Sequence, residues 1–277
     1  MEREYEATMI SYDDLSELIQ WIKNIHGFNF EGYSMASLKR RVSRVLTIRH
    51  LSLYDLKSLI INDHDFFEDF IAEVTVNVTE MFRDPSFYRT LHEKAMPYLA
   101  SYPRIKVWSA GCSTGEEVYS LSILLKQEGL YDRSFIYGTD ISQRVVEEAR
   151  EGIYSLGRMK EYSANYIRSG GRGSLADYYI ARYDAASIVS ELKRNTFFSV
   201  HNLTTDGVFN EFQLVCCRNV LIYFGIDLQK RVLKLLYDSL CPLGFLCLGP
   251  RETLRGEEIG AHFRVIDKSE NIYQKID

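Results

Sequence analysis

Apolar residues recur at helical spacing through the first 76 residues, and no stretch there alternates as a strand does. The segments that carry this spacing are DLSELIQWIKNIHGF, SMASLKRRVSRVLTIRH and DFFEDFIAEV. In the second segment the apolar side chains share one helix face, whereas Arg40, Arg41 and Arg44 fall on the opposite arc. We expect a helical domain over residues 1–76. Its arginines form either an ordinary solvated face or a dock for an acidic partner helix.

The pattern changes at Asp84-Pro85, where Asp84 can cap a helix that Pro85 begins. From there, short apolar strands alternate with helices. The predicted strands are RIKVWSA, SFIYGTD, FQLVCCRN and GFLCLGP, and the predicted helices start near Glu116, Ser142 and Asp227. This alternation predicts a parallel sheet covered on both faces, with HFRVID and NIYQKI as a closing hairpin at its edge.

Residues 161–200 interrupt the alternation. They contain the flexible segment SGGRGS and then DYYIARYDAASIVSELKRNTFFSV, which is rich in aromatic and β-branched residues and has no helical period. We expect a small antiparallel β-subdomain here, inserted within a larger α/β domain that spans residues 85–277.

Composition and charge narrow the protein class. Apolar residues make up 46% of the chain and charged residues 26%, the balance of a folded globular protein. The formal net charge is -5 and the pI is near 5.8, which argues against a general nucleic-acid coat. The chain shows neither a secretion leader nor a long apolar run, so we expect a soluble, cytoplasmic protein without membrane insertion.

The cysteines indicate neither a disulfide framework nor a metal site. There are 5, with no CxxC pair and no cysteine–histidine spacing that would hold zinc. Cys112, within a glycine turn, is either a reactive thiol or a small residue packed beneath a ligand, and we favour the second interpretation. We therefore expect no metal centre and no thiol catalysis.

The turn GCSTGEE joins a predicted strand to a predicted helix. It matches neither the GxGxxG of dinucleotide sites nor the GxxxxGK[ST] of a P-loop. Gly111 and Gly115 would let the backbone come close to a ligand. In doubly wound sheets ligands bind past the carboxyl ends of the strands, so GCSTGEE, TDIS and CRNVLIYF should converge on one crevice.

Two glutamates at the helix start restrict the ligand. A phosphate beside Glu116 and Glu117 would meet like charge, at about 4 kcal/mol per pair at 4 Å. A cationic ligand would be favoured, and Asp140 can accept the hydroxyls of a ribose. S-adenosylmethionine has these features. Alternatively, both glutamates only complement the helix dipole, with Glu116 pointing to solvent.

Several long motifs resemble the chemotaxis receptor methyltransferases of the CheR family. They are NVTEMFRD at 77–84, WSAGCSTGEEVYS at 108–120, the TDIS that ends at Ser142, HNL at 201–203 and CRNVLIYF at 217–224. The resemblance spans nearly the whole chain, in order. It implies an all-α N-terminal domain, a linker at 77–84, and a Rossmann-like class I S-adenosylmethionine-dependent methyltransferase domain with an inserted β-subdomain.

The resemblance also implies a reaction and partners. The reaction is methyl esterification of glutamate side chains on chemoreceptors for sensory adaptation, with S-adenosylhomocysteine as the other product. The partner is the receptor's cytoplasmic coiled coil, and in some members the β-subdomain grips a receptor C-terminal peptide tail. A receptor methylesterase opposes the reaction. We expect a monomer that binds no nucleic acid.

Residue roles follow by motif. Arg83 and Tyr223 are the implied catalytic residues, with Arg83 also at the cofactor, and the basic arc of the second helix is the implied receptor dock. The other implied cofactor-binding residues are Asn77, Thr79, Gly111, Glu117, Asp140, Asn202, Leu203, Arg218 and Asn219. The structural alternatives are helix caps for Asn77 and Thr79, an ion pair with Asp84 for Arg83, and core packing for Tyr223.

Three positions depart from the family pattern. Gly111 stands where alanine is frequent and Val118 where proline is frequent. In LGPRETL, where members often have GHSE, Pro250 and Arg251 replace the usual pair. The last departure weakens close analogies of receptor specificity. The remaining alternatives are a different S-adenosylmethionine-dependent enzyme acting on RNA or a small molecule, a cofactor-bound signalling scaffold without turnover and, least favoured, a nicotinamide dehydrogenase.

Overall fold

A computed structural model describes residues 10–75, 79–254 and 257–276, with the backbone only for 257 and 258. The chain divides into two compact units. One, the helical unit, contains the N-terminal helices together with Tyr223–Leu228, and the other, the sheet unit, contains the rest. Asn77, one of the implied cofactor ligands, lies outside the described residues.

The helical unit is built from α1 (Tyr12–His26), α2 (Met35–Ile48), α3 (Leu53–Asn62) and α4 (His64–Thr75). Serine side chains cap the N-termini of the first three helices. Ser11 and Ser34 accept backbone N–H groups, and Ser52 forms a reciprocal capping box with Asp55. The sequence did not reveal α3, because only Leu56 and Ile60 of this short helix are buried.

Tyr223–Leu228 is distant in sequence from these helices but belongs to their unit. The Ser34 N–H donates to the Tyr223 carbonyl at 2.8 Å. Tyr33 and Phe224 form an antiparallel bridge, and their rings meet edge to face with centroids 5.0 Å apart. A β-like pairing therefore attaches this segment to the start of α2.

The sheet unit contains helices on a mostly parallel sheet and a second, smaller sheet. Its helices are α5 (Pro85–Lys94), α6 (Met96–Leu99), α7 (Glu116–Gln127), α8 (Gln143–Glu151), α9 (Met159–Arg168), α10 (Ser190–Lys193), most of α11 (Ile226–Asp238) and α12 (Glu257–Gly260). Its strands are β1 (Ile105–Ala110), β2 (Ser134–Asp140), β3 (Ile153–Ser155), β4 (Tyr179–Arg182), β5 (Ala185–Ile188), β6 (Thr196–Val200), β7 (Phe212–Cys217), β8 (Leu240–Leu248), β9 (Phe263–Asp267) and β10 (Ile272–Lys275).

The main sheet has the order β6-β2-β1-β7-β8-β10-β9. The first five strands run parallel, whereas β10 and β9 add antiparallel at one edge as the predicted hairpin. The chain leaves β1 in one direction toward β2 and β6 and later resumes on the other side with β7. This reversal is the switch point at which open α/β sheets bind ligands.

The small sheet has the order β3-β5-β4 and is antiparallel. The fold class is confirmed, but the predicted content of residues 161–200 was partly wrong. Thr196–Val200 is an edge strand of the main sheet, parallel to β2, and α9 occupies much of the first part. An edge strand is half exposed and alternates like an antiparallel strand, which concealed its pairing.

Candidate active site

The glycine turn after β1 is shaped by close contacts with neighbouring loops. The N–H groups of Gly111 and Cys112 both donate to the carbonyl of Thr139, at 2.8 and 2.9 Å. Gly111 has φ 77°, and a Cβ there would lie 2.4 Å from a methyl carbon of Val220, so only glycine fits. Burial raises the pKa of the Cys112 thiol well above its ordinary value, with Asp140 adding to the effect, as expected of a packed residue rather than a nucleophile.

Asp140 ends β2 beside this turn and is buried. Its carboxylate accepts the N–H groups of Ser113 at 2.9 Å and Ser142 at 3.2 Å. Burial raises the pKa of Asp140, and these backbone bonds partly offset the rise. The hydroxyls of Ser113 and Ser142 are themselves buried and have no hydrogen-bond partner among the described residues. A carboxylate and two unpaired hydroxyls therefore lie together at the crevice.

Glu117, in the first turn of α7, faces the same switch point. Its carboxylate accepts the Ser109 hydroxyl at 2.8 Å and lies 3.2 Å from Nη1 of Arg218. Nη2 of Arg218 lies 2.8 Å from the carboxylate of Asp84. The Arg218 guanidinium also stacks 3.8 Å from the ring centroid of Phe87. Asp84 precedes α5 but does not cap it, contrary to expectation, because its side chain is directed to Arg218.

Arg218 is a cation held inside the sheet unit, with its side chain only 2% exposed. Burial alone would lower the pKa of Arg218, but Glu117, Tyr88 and Asp84 outweigh that effect and raise it. Its Nε is buried without a partner in the part of the chain that the structure describes. Buried charges persist when they are paired, and this one has two carboxylates.

Glu116 does not point to solvent, and that alternative was wrong. The residue is 0% exposed, and burial raises the pKa of its carboxyl group. The carboxylate accepts the hydroxyls of Thr114 at 2.6 Å and Tyr162 at 3.1 Å, and Nη1 of Arg158 lies 3.3 Å away. Glu116 thus holds the glycine turn to Tyr162 and Arg158, whereas Glu117 faces the crevice.

The linker before α5 is described from Thr79 onward. The Thr79 carbonyl accepts from Arg158, and the Arg83 carbonyl accepts from Arg218 at 3.4 Å. Both linker residues are partly exposed. Burial, reinforced by Glu161, raises the pKa of Glu80, while the charge of Arg83 opposes the rise.

The loops after β6 and β7 carry further residues predicted to bind the cofactor. Asn202 is partly exposed and its side-chain oxygen accepts both the N–H and the hydroxyl of Thr204, at 2.9 and 2.8 Å; the neighbouring Leu203 is buried. The His201 N–H donates to the Asp140 carbonyl at 2.9 Å, which ties this loop to the end of β2. Asn219 has φ 62° and donates its N–H to Glu252 at 2.9 Å.

Glu252 is a structural residue that sequence reasoning missed. Its buried carboxylate accepts the N–H groups of Gly249 at 2.6 Å, Asn219 at 2.9 Å and Ile222 at 3.3 Å. Burial raises the pKa of Glu252 in spite of these bonds. It lies just after Pro250-Arg251, and its spacing from CRNVLIYF gave no sign that the two loops are joined.

Two family models match the chain. The CheR methyltransferase SAM binding domain matches residues 77–272, and the CheR methyltransferase all-alpha domain matches residues 13–75. The protein belongs to the CheR methyltransferase family. The predicted family and cofactor, S-adenosylmethionine, are thereby confirmed.

Relatives in this family match along most of their length. A Pseudomonas putida protein provisionally named methyltransferase Cher3 is 44% identical over 259 residues, which cover 93% of this chain and 95% of that protein. The chemotaxis protein methyltransferase 1 of Vibrio cholerae is 30% identical over 265 residues, 90% of this chain and 92% of its own. The chemotaxis protein methyltransferase of Listeria innocua is 29% identical, covering 84% and 87%.

The crevice residues fit the CheR cofactor chemically. S-adenosylmethionine carries an ammonium group, a sulfonium group and two ribose hydroxyls. The carboxylates of Glu117 and Asp140 suit the cation and the hydroxyls, and the unpaired hydroxyls of Ser113 and Ser142 can bond to polar ligand atoms. Within the described residues no cluster of three or more His, Cys, Asp and Glu is arranged to hold a metal ion.

Tyr223 and the three arginines assigned to receptor docking lie in the helical unit. Arg40 and Arg44 are exposed, but Arg41 is 9% exposed and its predicted position on the solvent arc was wrong. Nη1 of Arg41 donates to the Val74 carbonyl at 2.8 Å, and its guanidinium lies 4.3 Å from the ring centroid of Tyr223. Burial lowers the pKa of Arg41, and Tyr223 opposes that effect.

Among the described residues, no helix has the length and apolar character that a membrane span requires.

Proposed function

We propose that this protein transfers the methyl group of S-adenosylmethionine to glutamate side chains of chemoreceptors, giving glutamate 5-O-methyl esters and S-adenosylhomocysteine. The carboxylate-lined crevice carries the proposal, in a chain of the CheR family. Glu117 lies in the first turn of the helix that follows β1, and Asp140 ends the neighbouring parallel strand β2. The names of the Vibrio and Listeria relatives support the chemotaxis substrate.

The cofactor supplies an activated methyl group on a sulfonium centre. We propose that Glu117 binds the cofactor's ammonium end and that Asp140 binds its ribose. Thr79 and Arg83 contact it from the linker, together with Asn77. Gly111 lets the backbone approach the cofactor closely. Asn202 and Leu203 border its adenine, and Arg218 and Asn219 line the floor of the crevice.

The reaction needs no strong general base. A substrate glutamate is already ionised near neutral pH, so its oxygen is a competent nucleophile once water has been removed. Holding that oxygen in line with the methyl carbon can contribute up to about 7–11 kcal/mol. We propose that Arg83 attracts the substrate carboxylate by charge and that Tyr223 orients it by a hydrogen bond.

The substrate partner is the cytoplasmic coiled coil of a receptor, whose methylation face is acidic. Arg40 and Arg44 offer exposed positive charge to such a surface. A receptor's C-terminal tail would bind along the small antiparallel sheet, and a methylesterase would reverse the modification. We propose that the enzyme acts in the cytoplasm as a monomer.

The test incubates receptor-bearing membranes with the purified enzyme and the cofactor, and locates added methyl groups on receptor peptides by mass spectrometry. Wild type should modify glutamates, and Arg83→Ala should reduce kcat by about a hundredfold while its cofactor Kd changes far less. Methyl groups on another residue type, or on no receptor peptide, would reject the proposal. Cofactor binding without any product would favour a signalling scaffold.

A further inference from the structure

Glu116 connects segments that are far apart in sequence. Its Oε2 accepts the hydroxyl of Thr114 in the glycine turn at 2.6 Å. Its Oε1 accepts the hydroxyl of Tyr162 in α9 at 3.1 Å and lies 3.3 Å from Nη1 of Arg158, the residue before α9. A carboxylate with no solvent exposure depends on such partners to remain charged.

Arg158 extends this cluster to the linker. While Nη1 faces Glu116, Nη2 donates to the carbonyl of Thr79. The guanidinium is also held 5.0 Å from the ring centroid of Tyr162. A planar guanidinium can serve two acceptors with separate N–H groups at a fixed angle, which an ammonium group cannot do. Arg158 therefore bridges a buried carboxylate and the backbone of the linker, although its own side chain is 46% exposed.

The rest of the linker is attached to neighbouring helices of the sheet unit. The Phe82 N–H donates to the Ser120 hydroxyl at 2.9 Å, and the Asn165 side chain donates to the Met81 carbonyl at 3.2 Å. These bonds hold the middle of the linker. The contact of Arg158 holds Thr79 and joins the linker, through the carboxylate of Glu116, to Thr114 in the glycine turn.

We infer that Arg158 is a positioning residue: by joining Glu116 to the Thr79 carbonyl, it keeps the linker that carries Arg83 in a fixed place beside the glycine turn. The inference rests on the proposed function insofar as it assigns Arg83 to the methyl-transfer step. The bridge itself does not depend on that assignment. Arg158 lies in none of the motifs that carry the family resemblance.

The first measurement follows hydrogen exchange of the Phe82 amide in the full chain saturated with S-adenosylhomocysteine. We compare wild type, Arg158→Ala and a matched control, Arg194→Ala, whose exposed side chain pairs with Asp132 at 2.6 Å. Arg158→Ala should exchange at least about tenfold faster than the control, because the linker loses one of its attachments. An exchange rate equal to that of the control would overturn the inference.

A second pair of variants separates positioning from stability. Arg158→Ala leaves Glu116 buried without its cation, which by itself destabilises the fold. Adding Glu116→Gln removes that unpaired charge, so the midpoint of thermal unfolding should recover while Phe82 exchange stays fast. Arg158→Lys should likewise recover the midpoint more than it recovers the protection of Phe82. Protection that recovers fully together with stability in both variants would overturn the positioning role.

The third measurement separates this inference from the proposed function. With receptor membranes as substrate, Arg158→Ala should lower kcat by about tenfold or more, with the receptor KM within about threefold of wild type. Fast exchange with an unchanged kcat would overturn the inference. If wild type methylates no receptor, the proposed function fails. The hydrogen-exchange measurement still tests independently whether Arg158 bridges Glu116 and the linker.

Discussion

The carboxylate of Glu117 lies 3.2 Å from the guanidinium of Arg218, and the arginine side chain is almost completely buried. A second carboxylate, that of Asp84, lies 2.8 Å from the same guanidinium. Because the crevice is lined with acidic groups, this internal cation keeps them from repelling one another. It also places a positive charge directly beside the carboxylate of Glu117.

Replacing Arg218 should therefore destabilise the protein. Arg218→Met removes the cation and leaves two carboxylates without it, so we expect the free energy of unfolding to fall by about 3 kcal/mol, near the lower bound for buried pairs because Asp84 is partly exposed. Urea denaturation measures this. Arg194→Met, at an exposed ion pair, should change it by less than about 0.5 kcal/mol. Similar losses in the two variants would contradict the role given to Arg218.

Cofactor affinity should depend on pH through Asp140. Its folded-state pKa is raised above the ordinary 3.8 by burial, and only the ionised form accepts two hydroxyl bonds well. As pH falls through this raised pKa the carboxyl group gains a proton, so the cofactor Kd should increase by up to about tenfold per pH unit. Isothermal titration at several pH values tests this. Asp140→Asn should bind the cofactor weakly, and its Kd should depend less on pH than that of wild type. An unchanged pH dependence of Kd in this variant would assign the effect to another group.

Glu116 should influence stability rather than affinity. Burial raises its folded-state pKa above the ordinary 4.5, so its stabilising contribution is fully present below that value and is lost as pH rises through the folded-state pKa. Glu116→Gln stays neutral throughout. The stability of this variant relative to wild type should consequently increase from about pH 4.5 upward, in urea titrations at a series of pH values. A difference that is constant with pH would mean that Glu116 ionises without cost.

The three arginines of α2 should separate into two classes. Arg40 and Arg44 are exposed, so the double variant Arg40→Glu/Arg44→Glu should keep the stability and cofactor affinity of wild type. Receptor methylation should fall by about tenfold, and this deficit relative to wild type should become smaller at high salt, because salt screens the exposed charges. Equal loss of methylation and of cofactor affinity would indicate misfolding instead.

Arg41 belongs to the other class. Arg41→Ala leaves the Val74 carbonyl without its donor and removes the stacking on Tyr223, which should lower the free energy of unfolding by about 1–3 kcal/mol. The melting temperature compared with that of Arg40→Ala measures the difference. Equal melting temperatures would show that the buried contacts of Arg41 contribute little.

Strong periodicity made most of the fold predictable. β2 occupies the whole predicted segment, Ser134–Asp140, and α8 begins after Ser142 and ends before Gly152 as expected. Local sequence patterns did not predict strand pairing between segments that are far apart in the sequence. β6 was assigned to the insertion because nothing in its own residues shows that it pairs with β2.

The candidate site shows the same difference between features set by local sequence and features set by distant segments. The placement of Glu117 and Asp140 near the switch point could be predicted, because the carboxyl ends of parallel strands converge there in any doubly wound sheet. The burial of Glu116 and Arg41 could not, since each is enclosed by residues from other segments: Tyr162 and Val74. Glu252 and Arg158 were missed for the same reason, because Asn219 lies 33 positions from Glu252 and Thr79 lies 79 positions from Arg158.

The most direct test of the central claim uses S-adenosylmethionine labelled with tritium in its methyl group, together with the purified enzyme and receptor-bearing membranes. Glutamate methyl esters release methanol in mild base, whereas methylated amines and nucleic acids do not. We predict base-labile label on a receptor-sized band, lost in Arg83→Ala and much reduced in Tyr223→Phe. Label that resists base, or no label in a protein that binds the cofactor, would contradict it.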